Sequence, residues 1–296
     1  MTQASKPAIS RRLVLGAGLA AAVPTAVGIA APSAGASPQA DHNTATLRSL
    51  EQRSGVRIGV SAKNLRTGAT IRHRQNERFP LCSTFKAVAA AAVLREVADL
   101  DHVVRYSESI LVDYSPITSE RRAMRIAEII DAAVRYSDNT AGNLMLRQIG
   151  GPPGFTRFAR SIGDRTTRLD RWETELNTAI PGDPRDTTTP SAIADTYEKI
   201  LRGNVLPADR RWYLRATMQG NTTSVGKFRA SLPDGWWFAD KTGNGDYGSS
   251  NDIGMITAPD GTEIMVAVLT RADRPGVTAD PELMIKLGEL VIQRLR

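Results

Sequence analysis

The sequence predicts an α/β protein of the α+β type: an antiparallel five-stranded sheet built from both chain ends and flanked by helices, beside an all-helical lobe from the middle. Three observations carry this expectation. Apolar and polar residues alternate at 56–65 and 69–74, and strand-like runs return at 235–241, 252–258 and 262–270. Between these two groups, helical patterns dominate from residue 83 to residue 219. Within that block, residues 87–94 are apolar on every side, as a helix packed all round must be.

Each element has a local reason. Residues 1–36 read as a removable leader that ends before the fold begins. A twin arginine, Arg11-Arg12, precedes an Ala/Gly-rich apolar run reaching Ala31 and broken by Pro24; Ala34-Gly35-Ala36 then offers small residues for cleavage. The run is too weakly apolar for an anchor, so export by the twin-arginine route is expected, with residues 37–296 forming one catalytic domain. Residues 43–53 read as a helix with Leu47 and Leu50 on one face and Gly55 at its end. Residues 56–65 and 69–74 form a hairpin around Arg66-Thr67-Gly68. The buried helix spans 83–98, with Ser83 at its start. Further helices are predicted at 124–136, 139–149, 153–162, 191–202 and 207–219, and a closing helix at 280–295. Residues 164–190 lack any period, and a loop of that length is usually functional or disordered. The cleft between sheet and helical lobe is the expected site.

Composition narrows the function. The chain has 296 residues, 41% of them hydrophobic, and a net charge of +7. The leader holds Lys6, Arg11 and Arg12 and no acid; removing three charges from +7 leaves +4. No basic run is interleaved with aromatics, which argues against nucleic-acid binding. The modest positive field favours small anionic substrates. Cys82 is the only cysteine, so no intramolecular disulfide can form, and it reads as a packing residue. His42, His73 and His102 lack ligand spacing, so no metal and no cofactor are expected.

Four short strings carry the chemistry. Ser83 and Lys86 stand three apart on a helix and share a face, so a buried amine can act on the serine. Backbone N–H groups at that helix start favour an oxyanion. Ser137-Asp138-Asn139 begins the helix at 139–149, where such residues are ordinary caps. Glu173 and Asn177 lie in the unpatterned loop. Lys241-Thr242-Gly243 reads as the end of a strand, bringing a cation and a hydroxyl to a turn. Taken singly these are weak: Ser224-Val225-Gly226-Lys227 repeats the Ser-x-x-Lys spacing with no buried helix after it.

Their order is specific. Ser-x-x-Lys, Ser-Asp-Asn and Lys-Thr-Gly in succession resemble the class A serine β-lactamases and the penicillin-binding proteins. The flanking strings carry the resemblance across roughly 43–295: Phe79-Pro80-Leu81-Cys82 before Ser83, Val112-Asp113-Tyr114-Ser115-Pro116, and Arg171-Trp172-Glu173-Thr174-Glu175-Leu176-Asn177 with Asp183, Arg185 and Asp186. The resemblance implies that Ser83 attacks a β-lactam carbonyl while Lys86 and Glu173 share the proton work. It implies that Ser137 protonates the leaving nitrogen, that Glu173 and Asn177 hold the hydrolytic water, and that the N–H groups of Ser83 and Asn244 bind the oxyanion. Asn139 and Tyr114 would meet the substrate, Lys241 and Thr242 its carboxylate. Arg171 and Asp186 would close the loop's neck, and Asn143 would hold the loop. A monomer without membrane anchor in its mature form, taking small β-lactams, is implied.

This chain departs from the pattern in places. Thr174 stands where many members have proline, and Asn244 is unusual after Lys-Thr-Gly. Ser249-Ser250-Asn251 occupies a stretch where many members carry an arginine; Lys227 is a candidate to supply the missing cation. A D,D-peptidase, a β-lactamase-like esterase and a non-catalytic binding protein share parts of this pattern. The string from Glu173 to Asn177 favours hydrolysis over the peptidase.

Overall fold

The computed structural model describes residues 38–296; the expected leader lies outside the described residues. Helix α1 (Pro38–Ser54) leads into the hairpin β1 (Arg57–Asn64) and β2 (Thr70–His73), then the short β3 (Phe79–Pro80) and α2 (Phe85–Glu96). The strands β4 (Val103–Arg105) and β5 (Ala123–Arg125) precede α3 (Ile126–Arg135), α4 (Asn139–Gln148) and α5 (Gly151–Ser161). After β6 (Thr187–Thr188) come α6 (Pro190–Leu201) and α7 (Ala208–Gln219), the meander β7 (Trp237–Gly245), β8 (Ser249–Thr257) and β9 (Glu263–Arg271), and finally α8 (Pro281–Leu295).

The five long strands form one antiparallel sheet in the order β2-β1-β9-β8-β7, so both chain ends build it, as expected. Its two faces bury separate cores. On β9, Ile264, Val266 and Val268 join Leu47 and Leu50 of α1 and Leu283, Leu287 and Val291 of α8. The alternate residues Met265, Ala267 and Leu269 join the helical lobe. A strand covered on both faces therefore reads as a continuous apolar run. The second core surrounds α2, whose residues from Phe85 to Leu94 are all buried. Its alanines let α3, α4, α5, α6 and α7 approach closely. Phe85 packs edge-on to Phe155 with centroids 6.1 Å apart.

The structure corrects several boundaries. Ser83 belongs to a 3-10 turn, Cys82–Thr84, and the α-helix starts only at Phe85. Lys241-Thr242-Gly243 does not end its strand: β7 runs on to Gly245 because β8 pairs with it throughout, with Gly243 opposite Asn251 and Gly245 opposite Ser249. Cross-strand pairing overrides the weak strand preference of glycine. The unpatterned stretch contains the turn Glu175–Thr178 and β6, which pairs with β3. Such two-residue pairs leave no period to detect. Among the described residues, no helix is long and apolar enough to cross a membrane, and no acid, histidine or cysteine cluster could hold a metal.

Candidate active site

The turn carrying Ser83 is clamped from both sides. Leu81 N–H donates to Asp186 O at 2.8 Å, which ties the turn to the end of the long loop. Thr84 Oγ1 donates to Leu81 O at 2.6 Å. On the sheet side, Asn251 Nδ2 donates to Pro80 O at 2.8 Å. A side chain at Gly243 would stand 2.9 Å from Leu81 O and 3.1 Å from Ser83 N, so only glycine lets β7 lie this close. Cys82, the first residue of the turn, is buried and free, and burial pushes its thiol up, far from a reactive thiolate.

Lys86 lies within reach of four oxygens. Its Nζ donates to Ser83 Oγ at 3.0 Å, Ser137 O at 2.8 Å and Asn139 Oδ1 at 2.6 Å, and stands 3.0 Å from Glu173 Oε1. It is wholly buried, and burial pulls its pKa down against the raising effect of Glu173. Ser83 Oγ in turn donates to Glu173 Oε1 at 3.2 Å. Nucleophile, amine and carboxylate thus form one closed triangle.

Glu173 is held by its neighbours. Asn143 Oδ1 accepts from Glu173 N at 2.9 Å, and Asn143 Nδ2 donates to Glu173 O at 3.0 Å, so one α4 side chain grips both backbone groups. Asn177 Nδ2 donates to Glu173 Oε2 at 2.5 Å, while Asn177 Oδ1 is buried with no partner among the described residues. The Glu173–Thr174 peptide bond is cis. At the neck of the loop, Arg171 Nε meets Asp186 Oδ2 at 2.6 Å, and Asp186 Oδ1 accepts from the N–H groups of Asp170 and Arg171 at 2.6 and 2.9 Å.

The opposite wall starts at Ser137. Asp138 does cap α4, accepting from Ala141 N at 2.8 Å, and it also binds Ile117 N and Thr118 N, each at 2.9 Å. The capping reading of this string is borne out at Asp138. Asn139 Nδ2 donates to Asp113 O at 2.8 Å and Asn139 N to Tyr114 O at 3.0 Å, which fixes the loop that presents Tyr114. Tyr114 itself is 62% exposed. Lys241 Nζ donates to Ser137 Oγ at 3.1 Å and to Thr242 O at 3.0 Å. Burial, and next the charge of Lys86, bring the Lys241 ammonium down to about 7. Thr242 Oγ1 is hydrogen-bonded to Thr223 Oγ1. Half-buried Lys227 donates to Oδ1 of exposed Asn244 at 3.0 Å, and burial lowers its pKa as well. The second Ser-x-x-Lys string runs straight into the 3-10 turn Phe228–Ser231 and not into a buried helix, as its sequence predicts. Ser249, Ser250 and Asn251 are buried within β8.

All fourteen residues singled out from the sequence fall on these interconnected elements. Sequence reasoning missed buried Asp240, Asn221 and Asp252 on and beside β7 and β8, and the half-buried Arg229 that binds Asp240. An aspartate inside the apolar 252–258 run was the available signal for Asp252.

The chain is similar to known proteins along most of its length. The model of the beta-lactamase enzyme family matches residues 43–295. Beta-lactamase AST-1 of Nocardia asteroides is 46% identical over 252 residues, covering 83% of this chain and 81% of the relative. The carbapenem-hydrolyzing beta-lactamase KPC of Klebsiella oxytoca is 47% identical over 230 residues, covering 75% and 78%. Among solved structures, a beta-lactamase from Desulfarculus baarsii superposes with a TM-score of 0.84 at 41% identity, covering 86% of this chain and 97% of that one. An ancestral class A beta-lactamase gives 0.82 at 45% identity, covering 85% and 99%.

Proposed function

Because the chain belongs to the class A serine β-lactamases, we propose that it hydrolyses the β-lactam amide of penicillins and cephalosporins through an acyl-serine intermediate, with the residues above in the following roles. Ser83 attacks the lactam carbonyl, and the N–H groups of Ser83 and Asn244 receive the oxyanion. The serine proton passes to Glu173 or Lys86, both within 3.2 Å of Ser83 Oγ. Ser137 delivers a proton to the leaving nitrogen; its hydrogen bond to Lys241 supports that task. The substrate carboxylate rests on Lys241, Thr242 and Lys227. Asn139 and Tyr114 line the cleft beside the substrate's side chain.

Deacylation needs one water held and deprotonated. Glu173 supplies the base. The buried, unpartnered Oδ1 of Asn177 supplies a second contact for that water beside the carboxylate. Arg171, Asp186 and Asn143 hold the loop in place. No metal or cofactor enters the scheme. The enzyme acts as a monomer, exported by the twin-arginine route and cleaved near Ala36, leaving residues 37–296 as the catalytic domain.

The observation that carries this reading is the hydrogen bond from Ser83 Oγ to Glu173 Oε1, because it places a loop carboxylate on the nucleophile. Purified mature protein mixed with a chromogenic cephalosporin tests it. Sustained turnover is expected. One acylation burst without turnover would indicate a peptidase, and no acylation a binding protein.

A further inference from the structure

A cavity of about 330 Å³ lies between the long loop and residues 77–80, with Arg271 at the end of β9 on its border. Small-molecule sites start at about this size. Ser83, Lys86, Ser137 and Glu173 do not line it, so it is separate from the cleft.

Its charges do not balance. Four arginines border it, Arg78, Arg171, Arg185 and Arg271, against two acids, Glu77 and Asp183. Both acids are already engaged. Glu77 meets Arg57 at 2.5 Å and Arg74 at 2.8 Å, and Asp183 meets Arg185 at 2.7 Å. Beyond the lining, Asp186 holds Arg171 and Asp273 holds Arg271. Arg78 is left over. It forms no ion pair among the described residues, and its Nη1 donates only to neutral oxygens, Thr187 Oγ1 at 2.9 Å and Thr166 O at 3.2 Å. Its guanidinium is always charged, and it is solvent-exposed, so an arriving anion can reach it.

The loop side of the cavity is apolar. Leu176 is fully buried, Ala179 turns the chain back at a φ of 47°, and Ile180 beside it is 47% exposed. Pro181 and Pro184 stiffen the same wall. An apolar body laid on these residues would take their surface out of water.

We propose that this cavity is a binding site for a small organic carboxylate with an apolar body, its anion on Arg78 and its body on Leu176, Ala179 and Ile180. Occupancy restrains the loop. Leu176 N donates to Trp172 O at 3.1 Å and Asn177 N to Thr174 O at 3.0 Å, so residues 172–177 form one hydrogen-bonded turn. That turn meets the cavity through Leu176 and Ser83 through Glu173. The consequence for turnover rests on the role proposed for Glu173; the binding does not.

Naphthoate is a suitable test ligand, with naphthamide as its uncharged counterpart. Amide NMR of the mature protein should show saturable naphthoate shifts at Ala179, Ile180, Gly182 and Arg185. Arg78→Met should weaken that binding about tenfold, and naphthamide should bind more weakly by a similar factor. Ile180→Asp changes the exposed wall without touching Arg78 and should weaken it as well. Hydrogen exchange at the Leu176 and Asn177 amides should slow about tenfold in the complex. Shifts confined to Ser137, Thr242 and Asn244 would place the anion in the cleft and overturn the proposal. So would equal affinity for the amide, or unchanged affinity in both variants. With a chromogenic cephalosporin, saturating naphthoate should raise kcat about twofold at constant KM in wild type and not in Arg78→Met, because a restrained loop holds Glu173 in place. A purely competitive effect would overturn the coupling. If the amide shifts stand in a protein that shows no turnover at all, it is the hydrolase reading that fails.

Discussion

Lys86 Nζ lies 3.0 Å from Glu173 Oε1, and Ser83 Oγ is hydrogen-bonded to both, at 3.0 and 3.2 Å. Glu173 Oε1 already accepts the serine hydrogen, whereas Lys86, which donates to Ser83 Oγ, must first lose a proton to act as base. Only Glu173 is also tied to Asn177, the residue with an unpartnered buried oxygen. On the proposed roles, the first half of the reaction has two bases within reach, and the second half has one.

Glu173→Ala should acylate and then stall. Losing a positioned general base costs ~10²-fold or more. Mass spectrometry should find the protein plus one intact penicillin. Turnover at the wild-type rate would require another group to activate water. A mutant that never acylates would make Glu173 the base of the first step as well.

Lys227→Ala should raise KM for penicillins with little change in Tm, through the loss of roughly 1–2 kcal/mol of charge-assisted hydrogen bonding. Its bond to Asn244 places the ammonium at the exposed end of β7, where an incoming anion meets it. Unchanged kinetics would reduce it to a surface lysine.

The pH dependence follows from Lys241. Its folded pKa is lowered from 10.5 to about 7, so the ammonium is charged below that value and neutral above it. KM for penicillins should therefore rise as pH climbs from about 7 to about 9, and kcat/KM should fall. Between those two pKa values the unfolded chain holds a proton that the folded chain has released, so this group makes stability increase with pH. A flat KM profile across the range would exclude Lys241 as the titrating anchor.

Gly142 of α4 faces Lys86, and a Cβ there would stand 2.8 Å from Lys86 Cε and 3.4 Å from Phe85 Cζ. Helix propensity alone favours alanine by about 1 kcal/mol. Gly142→Ala should nevertheless lower kcat by about tenfold, since Lys86 must move away from Ser83 while the helix is retained. Calorimetry beside steady-state kinetics checks the split. An unchanged kcat would show that Lys86 tolerates displacement.

Replacing Arg11 and Arg12 with lysine should leave precursor in the cytoplasm if the twin-arginine route is used. Fractionation followed by immunoblotting reads the result, and normal export would indicate the general secretory route.

The sequence by itself determined whatever depends on near neighbours. Ser83 and Lys86 lie on one side because the 3-10 turn that runs into α2 aligns residues three apart. Asp138 caps α4 through a bond to a residue three positions on. The alternation in β1 and β2 follows from the two-residue period of a strand. Tertiary structure decided what depends on distant segments. Ser83 reaches a carboxylate 90 positions away, and Lys241 reaches a hydroxyl 104 positions away. β7 continues through Gly243 because β8 lies alongside, and no local preference in that string announces it. The two buried lysines, Lys86 and Lys241, carry ordinary side chains whose charge is set by how much water, and which neighbouring charges, the fold leaves them. Desolvation and electrostatic coupling are properties of the packed whole, so residue types legible in the chain acquire their protonation states only when it closes around them.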